Sequence, residues 1–111
     1  MNTIKKNLTL ADLQAQVKVF CQERGWDKNS NLVILSGLIE ELGELTRAMR
    51  DYRGEYEQEG KESKKGQKHH LEAEFADVLN YLLDLANYFD IDLEKAYREK
   101  REINQTRKWS E

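Results

Sequence analysis

Residues 30–52 read SNLVILSGLIEELGELTRAMRDY, and this stretch decides the fold. Apolar side chains recur at every third or fourth position, which predicts one long helix with a broad apolar face. These side chains are Leu35, Leu38, Ile39, Leu42, Leu45 and Met49. Three carboxylates interrupt the run, at Glu40, Glu41 and Glu44. The helix therefore carries acidic groups at the border of the face that it should bury.

The same spacing predicts three more helices around this one. The first runs from the N-cap Thr9 to about Arg24, the third from about Lys68 to Phe89, and the fourth from a turn at residues 90–92 to about Trp109. Residues 54–67 contain three glycines and no aliphatic side chain, which predicts an exposed, flexible loop. We therefore expect an all-α, four-helix bundle that forms a single domain over residues 1–111, with the two longest helices antiparallel.

The composition limits the partners and the compartment. The net charge of −3 on 111 residues gives no general attraction to nucleic acid or to an anionic membrane, so neither is expected as a partner. The N-terminal residues lack the apolar core of a signal peptide, and no segment is apolar enough to span a bilayer, which predicts a cytoplasmic protein. The single cysteine, Cys21, cannot form an internal disulfide and is expected to be a buried thiol.

A second acidic pair repeats the placement of the first. On a helical wheel, Glu41 and Glu44 border the apolar arc of the second helix, and Glu74 and Asp77 take the same positions on the third. If the two helices pack antiparallel, the four carboxylates converge at a half-buried boundary. There they would repel, and protons, cationic partners or a bound metal would have to relieve the repulsion. Oxygen ligands at this spacing suit Mg²⁺ or Mn²⁺, although four ordinary surface acids are the simpler alternative.

Other candidate residues have two interpretations each. A di-iron site is weakly supported, because the two histidines, His69 and His70, precede Glu74 instead of following a carboxylate by three residues. Trp26 would either pack into the core or face a ligand. On the fourth helix one row carries two cations, an amide and a phenol, which could bind phosphate oxygens or could simply be solvated. That row is Tyr97, Lys100, Asn104 and Arg107.

The carboxylate pattern resembles the signature of a known family. Glu40-Glu41-x-x-Glu44 followed after a variable loop by Glu74-x-x-Asp77 is similar to the motif of the MazG-like all-α nucleoside triphosphate pyrophosphatases. Three further segments agree with it and extend the resemblance to about residues 10–109. They are Arg24-Gly25-Trp26, Asp77-Val78-Leu79 and the closing Lys100…Asn104…Arg107-Lys108-Trp109.

The resemblance implies an activity and roles for these residues. It implies Mg²⁺-dependent cleavage between the α- and β-phosphates of a nucleoside triphosphate, with Glu40 near the reacting water. The implied metal ligands are Glu41, Glu44, Glu74 and Asp77, and Lys100, Asn104 and Arg107 would meet the phosphates. Glu41 is also a candidate catalytic residue, and Trp26 a candidate substrate contact.

The oligomeric state and the substrate are less well determined by the sequence. Members of such a family are dimers or dimers of dimers, which suits a chain whose fourth helix has few apolar side chains and whose core should be thin. Nothing in the loop at residues 54–67 matches a base-recognition pattern, so the sequence leaves the base open. Two alternatives to the enzyme are a non-catalytic helical module that binds a nucleotide or a protein, and a carboxylate-bridged redox metal protein.

Overall fold

A computed structural model describes residues 7–54 and 63–107, and every regular element in these ranges is helical. Four α-helices and one short 3₁₀ turn follow one another along the chain. The helices are α1, Leu10–Glu23; α2, Asn31–Arg53; α3, Lys64–Tyr88; and α4, Leu93–Thr106, with the 3₁₀ turn Trp26–Lys28 between α1 and α2. The all-α, four-helix prediction is confirmed. None of these helices is both long enough and apolar enough to cross a membrane.

Each α-helix begins at a side chain that caps its first turn. Thr9 and Asp12 form a reciprocal capping box at α1, with the Asp12 amide donating to Thr9 Oγ1 at 3.0 Å. Ser30, Ser63 and Asp92 accept from backbone amides at the starts of α2, α3 and α4. Since short polar side chains compete for the backbone inside helices but satisfy free amides at their starts, these four residues fix where the helices begin.

The two longest helices, α2 and α3, pack antiparallel and form the centre of the molecule. Gly37, near the start of α2, lies against Tyr81 near the end of α3. At the other end of the pair, the Lys64 ammonium lies 4.3 Å from the centre of the Tyr52 ring. The predicted antiparallel pairing is confirmed, and it places the middle of α2 against the middle of α3.

The buried core of one chain is small. Among residues 7–54 and 63–107, the buried apolar side chains are Ile34, Leu83, Cys21, Ala48 and Ala86. Many large apolar side chains remain exposed on the described surface: Val19, Phe20, Trp26, Leu32, Val33, Leu35, Ile39, Leu42, Met49, Phe75, Leu82, Tyr88, Phe89, Ile91, Tyr97 and Ile103. The expected thin core is therefore present. The apolar face that the helical wheel predicts is wider than the part of it that α2 and α3 bury against each other.

Gln14 ties α1 to the turn between α3 and α4. Its side chain is buried, with the amide donating to the Ile91 carbonyl and the oxygen accepting from the Leu93 amide at 3.1 Å. Asn87 in turn donates to the Gln14 carbonyl at 3.0 Å. A polar side chain is stable here because its hydrogen bonds are made inside the protein. The turn itself holds Asp90 at a φ of 55°, a conformation that aspartate tolerates better than most residues.

Some predicted boundaries were wrong. α3 begins at Lys64 rather than Lys68, so residues 64–67 belong to a helix and not to the predicted loop. The three glycines of residues 54–67 predicted a loop up to Gln67, but Ser63 is an N-cap and the helix that it begins includes Gly66. α4 ends at Thr106, because Arg107 is already extended, whereas the prediction took it to about Trp109. Residues 55–62 and Trp109 lie outside the described ranges.

Candidate metal centre

Carboxylates from α2 and α3 meet in the middle of the helix pair. Glu41 and Glu44 lie one turn apart on α2, and Glu74 comes from the facing turn of α3. One oxygen from each of the three lies within 4.8 Å of the others. The antiparallel packing thus brings three of the four proposed ligands into one cluster.

The cluster is closed to water on one side. Glu74 is 7% exposed, and Glu41 is half-buried. The Oε2 atoms of Glu41 and Glu74 are both buried and have no hydrogen-bond partner among the described residues. Two ionised carboxylates cannot form a hydrogen bond with each other, since each group only accepts hydrogen bonds. A buried carboxylate oxygen without a donor is costly, so this arrangement needs a proton or a cation between the two helices.

The burial and crowding of these carboxylates raise the pKa of Glu41. Burial, a hydrogen bond with Glu74, and the charges of Glu44 and Asp77 together raise the pKa of Glu41 from 4.5 to about 7. When Glu41 is protonated, it donates to Glu74 and the repulsion is relieved. Asp77, the fourth predicted ligand, lies one turn beyond Glu74 on α3, and its charge is among those that raise the pKa of Glu41.

The donor set fits a hard divalent cation. Three carboxylates with oxygens within 4.8 Å of one another, and two buried oxygens without donors, are the oxygen environment that Mg²⁺ and Mn²⁺ accept. The cluster, as described by the structure, contains neither imidazole nor thiolate, so it is less suited to zinc. The chain can therefore hold a metal ion here.

Glu40 lies beside the cluster but on a more exposed part of α2. Its charge still reaches Tyr81, since it contributes to the raised pKa of that phenol. Glu40 is exposed, whereas Glu41 is half-buried, as a helical period of about 100° per residue predicts for neighbours at the border of an apolar face. Its proposed catalytic role remains a prediction.

Tyr81 is a residue of the site that the sequence analysis missed. It lies one turn beyond Asp77 on α3, and burial together with the charges of Glu41 and Glu40 raises the pKa of its phenol. The ring occupies the space that a side chain at Gly37 would take, since a Cβ there would lie 2.7 Å from Tyr81 Cζ. The sequence contained a signal for this contact. Gly37 lies one turn before Glu41 on α2, and Tyr81 lies one turn after Asp77 on α3, so antiparallel packing brings Gly37 and Tyr81 together.

Replacing Gly37 by alanine is expected to destabilise the helix pair only while Tyr81 is present. The new methyl would clash with the ring, so we expect the free energy of unfolding to fall by about 2 kcal/mol. In a Tyr81→Ala background the same change should instead raise it by about 1 kcal/mol, because alanine favours a helix over glycine. Chemical denaturation of the wild type, Gly37→Ala, Tyr81→Ala and the double variant measures both effects as a double-mutant cycle. An equal effect of Gly37→Ala in both backgrounds would contradict the contact.

Trp26 is not a core residue. It is 48% exposed, in the 3₁₀ turn after α1, and its ring meets Phe20 edge-on with 5.7 Å between ring centres. The Arg24 guanidinium lies 4.1 Å from the centre of the Phe20 ring and 5.6 Å from that of Trp26. The interpretation of Trp26 as a buried wedge was wrong, since these neighbours hold the ring on the surface. The alternative, that it faces a ligand, stays a prediction.

Cys21 is buried, as expected, and lies against Asp84 of α3. Burial first, and then the neighbouring Asp84 carboxyl, raises the pKa of the thiol to about 11. A thiol held neutral in this way is a poor nucleophile, so the cysteine acts as a packing residue between α1 and α3.

The basic row of α4 lines a separate pocket. Lys100 and Asn104 lie on the wall of a pocket of about 230 Å³, together with Tyr97, Arg101 and Gln105. Asn104 Oδ1 is buried and has no partner among the described residues. α4 packs mainly on α1, whereas the carboxylates lie between α2 and α3. One chain therefore carries the two sets of predicted site residues on different helix pairs, and Arg107, at the end of α4, is not on the pocket wall.

Comparison with known proteins identifies the family. Residues 29–108 match the MazG nucleotide pyrophosphohydrolase domain, which includes both carboxylate pairs. The chain belongs to this family. It is 37% identical to YvdC of Bacillus subtilis (strain 168) across 84% of this chain and 92% of that protein. The crystal structure of YPJD from Bacillus subtilis has 33% identity and a TM-score of 0.75, covering 94% of this chain and all of that one.

A named phage enzyme is also a relative. The dATP/dGTP diphosphohydrolase of Cyanophage S-2L is 31% identical across 92% of this chain and 79% of the enzyme. With the MazG domain, this likeness supports a nucleotide pyrophosphatase activity for the family member described here.

Proposed function

We propose that this chain is a Mg²⁺-dependent nucleoside triphosphate pyrophosphohydrolase that releases a nucleoside monophosphate and pyrophosphate. The observation that carries the proposal is the pair of buried Oε2 atoms of Glu41 and Glu74, which have no donor within the described chain. A protein gains nothing in stability from such a pair, so the cluster is better explained by a cation that it binds. The MazG domain supplies the reaction class.

The proposal assigns Glu41, Glu44, Glu74 and Asp77 as the residues that hold Mg²⁺, with Mn²⁺ as an alternative. When bound, the cation would supply charge neutralisation for the phosphates of the substrate. The acidic cluster alone would repel a triphosphate, so the site needs this charge before a nucleotide can approach.

The chemical step requires a proton acceptor next to the reacting water. The water oxygen forms a new bond to the α-phosphorus, the bond from that phosphorus to the α–β bridging oxygen breaks, and pyrophosphate leaves with the electron pair. Glu40 and Glu41 are the candidate acceptors of the water's proton, because Glu41 belongs to the cluster and Glu40 is the residue next to it on α2.

The remaining predicted residues would bind the substrate. The exposed ring of Trp26 offers a face on which a nucleobase can stack, and Lys100, Asn104 and Arg107 would hold phosphate oxygens. The pocket on α4 and the carboxylates lie on different helix pairs of one chain. The proposal therefore includes a homodimer or a dimer of dimers, in which the exposed apolar side chains of α2 and α3 are covered by another copy. It also places the enzyme in the cytoplasm.

A panel of canonical and modified nucleoside triphosphates tests the activity. Each is incubated with the purified protein and Mg²⁺, and pyrophosphate and monophosphate are measured separately. We expect equal amounts of the two products from at least one substrate, and a particle larger than one 13.1 kDa chain in sedimentation. Release of inorganic phosphate with a diphosphate product would contradict cleavage at the α–β bond. No turnover across the panel would contradict the enzyme and favour a non-catalytic binding module.

A further inference from the structure

One side chain at the rim of the carboxylate cluster has no role in the mechanism above. His70 lies one turn before Glu74 on α3, and the two side chains share a helix face. Its Nε2 is 3.6 Å from Glu74 Oε1, a direct contact that is too long to be a hydrogen bond. The imidazole is 57% exposed and the Glu74 side chain only 10% exposed, so His70 covers the outer edge of a buried carboxylate.

The two oxygens of Glu74 consequently have different surroundings. Oε1 faces the His70 imidazole, whereas Oε2 is buried and has no hydrogen-bond partner in the part of the chain that the structure describes. A carboxylate contacted through one oxygen has fewer orientations open to it, and so presents the other oxygen in a defined direction. Outer groups of this kind orient the ligands of metal sites and change their affinity by about 10- to 100-fold.

We propose that His70 is a positioning residue for Glu74, and through it part of the cation site. It acts by holding Glu74 Oε1 so that Oε2 stays directed at the cluster. The proposal rests on the cation site of the proposed function, but not on turnover. The same helix provides a matched comparison, since His69 contacts Glu72 at 3.7 Å, with side chains 87% and 64% exposed, away from the cluster.

Calorimetric titration with Mg²⁺, and separately with Mn²⁺, at about pH 8 and without nucleotide tests the proposal. We expect His70→Ala to weaken the binding of both cations by about 10-fold, and His70→Gln, which keeps a donor at a similar reach, to recover most of it. His69→Ala should bind both cations as the wild type does. Circular dichroism and a thermal melt show that the variants fold, which an exposed helix position allows.

Several outcomes would overturn the proposal. Wild-type affinity in His70→Ala would do so, as would an equal loss in His69→Ala. A loss confined to Mn²⁺, with Mg²⁺ unchanged, would mean that the imidazole is a direct ligand instead of a positioning group.

If the triphosphate panel shows no turnover but His70→Ala still loses cation affinity, the proposed function fails and this proposal stands. Where turnover is present, His70→Ala should raise the half-saturating Mg²⁺ concentration and leave kcat at saturating Mg²⁺ nearly unchanged.

Discussion

Replacing Glu41 by glutamine is expected to abolish turnover and, in the metal-free protein, to stabilise the fold. The amide removes one negative charge from a cluster in which Glu44, Glu74 and Asp77 all raise the pKa of Glu41. It also gives the buried Glu74 carboxylate an N–H donor. We expect the free energy of unfolding to rise by about 1 kcal/mol at pH 8, a value reduced for the partial exposure of the site. Turnover should fall by about three orders of magnitude, since a ligand and a candidate proton acceptor are lost together.

The opposite signs of the two effects are what distinguish a functional cluster from surface acids. Turnover is measured as pyrophosphate release, and stability by urea denaturation with and without Mg²⁺. In saturating Mg²⁺ the wild type should gain stability, and Glu41→Gln should gain little, because binding stabilises only the state that binds. Glu72→Gln is the matched control, as Glu72 lies on the exposed side of α3 and should change neither property. A Glu41→Gln variant that keeps its turnover would exclude Glu41 from the site.

The convergence of the carboxylates could be predicted because helices have a fixed period. Residues at i and i+3 must share a face, so once Glu41 and Glu74 were placed at equivalent borders, Glu44 and Asp77 followed. The antiparallel direction followed from the order of the helices, since two long amphipathic helices that follow one another in the chain pack side by side in a bundle. These steps use only backbone geometry, and the structure brings three of the four carboxylates, Glu41, Glu44 and Glu74, into one cluster.

What the sequence did not predict depends on contacts between distant residues. Tyr81 lies at the site because Gly37 leaves space for its ring, and this contact cannot be predicted from either residue alone. Burial in the core was one of the two interpretations of Trp26, but Phe20 and Arg24 hold its ring on the surface. The sequence also did not predict which apolar side chains are buried and which are exposed. The period shows which residues share a face, but not how much of that face another helix covers.

Cation binding and metal-free stability should respond to pH in opposite directions. The pKa of Glu41 is 4.5 in an unfolded chain and about 7 in the folded one. Because the folded value is raised, the protonated form contributes stability that is fully present below pH 4.5 and is lost as the pH rises to about 7. We expect the metal-free protein to lose on the order of 1 to 2 kcal/mol across this window. Glu41→Gln should lack this slope.

Mg²⁺ should bind better over the same window, since it can take the place of the proton only after that proton has left. Below pH 7 the affinity should fall roughly tenfold for each unit, and above pH 7 it should be nearly constant. Titration calorimetry from pH 5.5 to 8.5, in buffers of different ionisation enthalpy, measures both the affinity and the protons released. Close to one proton per cation is expected at the acidic end and close to none at the alkaline end. A constant affinity with no proton release would mean that the proton on Glu41 and the cation do not occupy the same place.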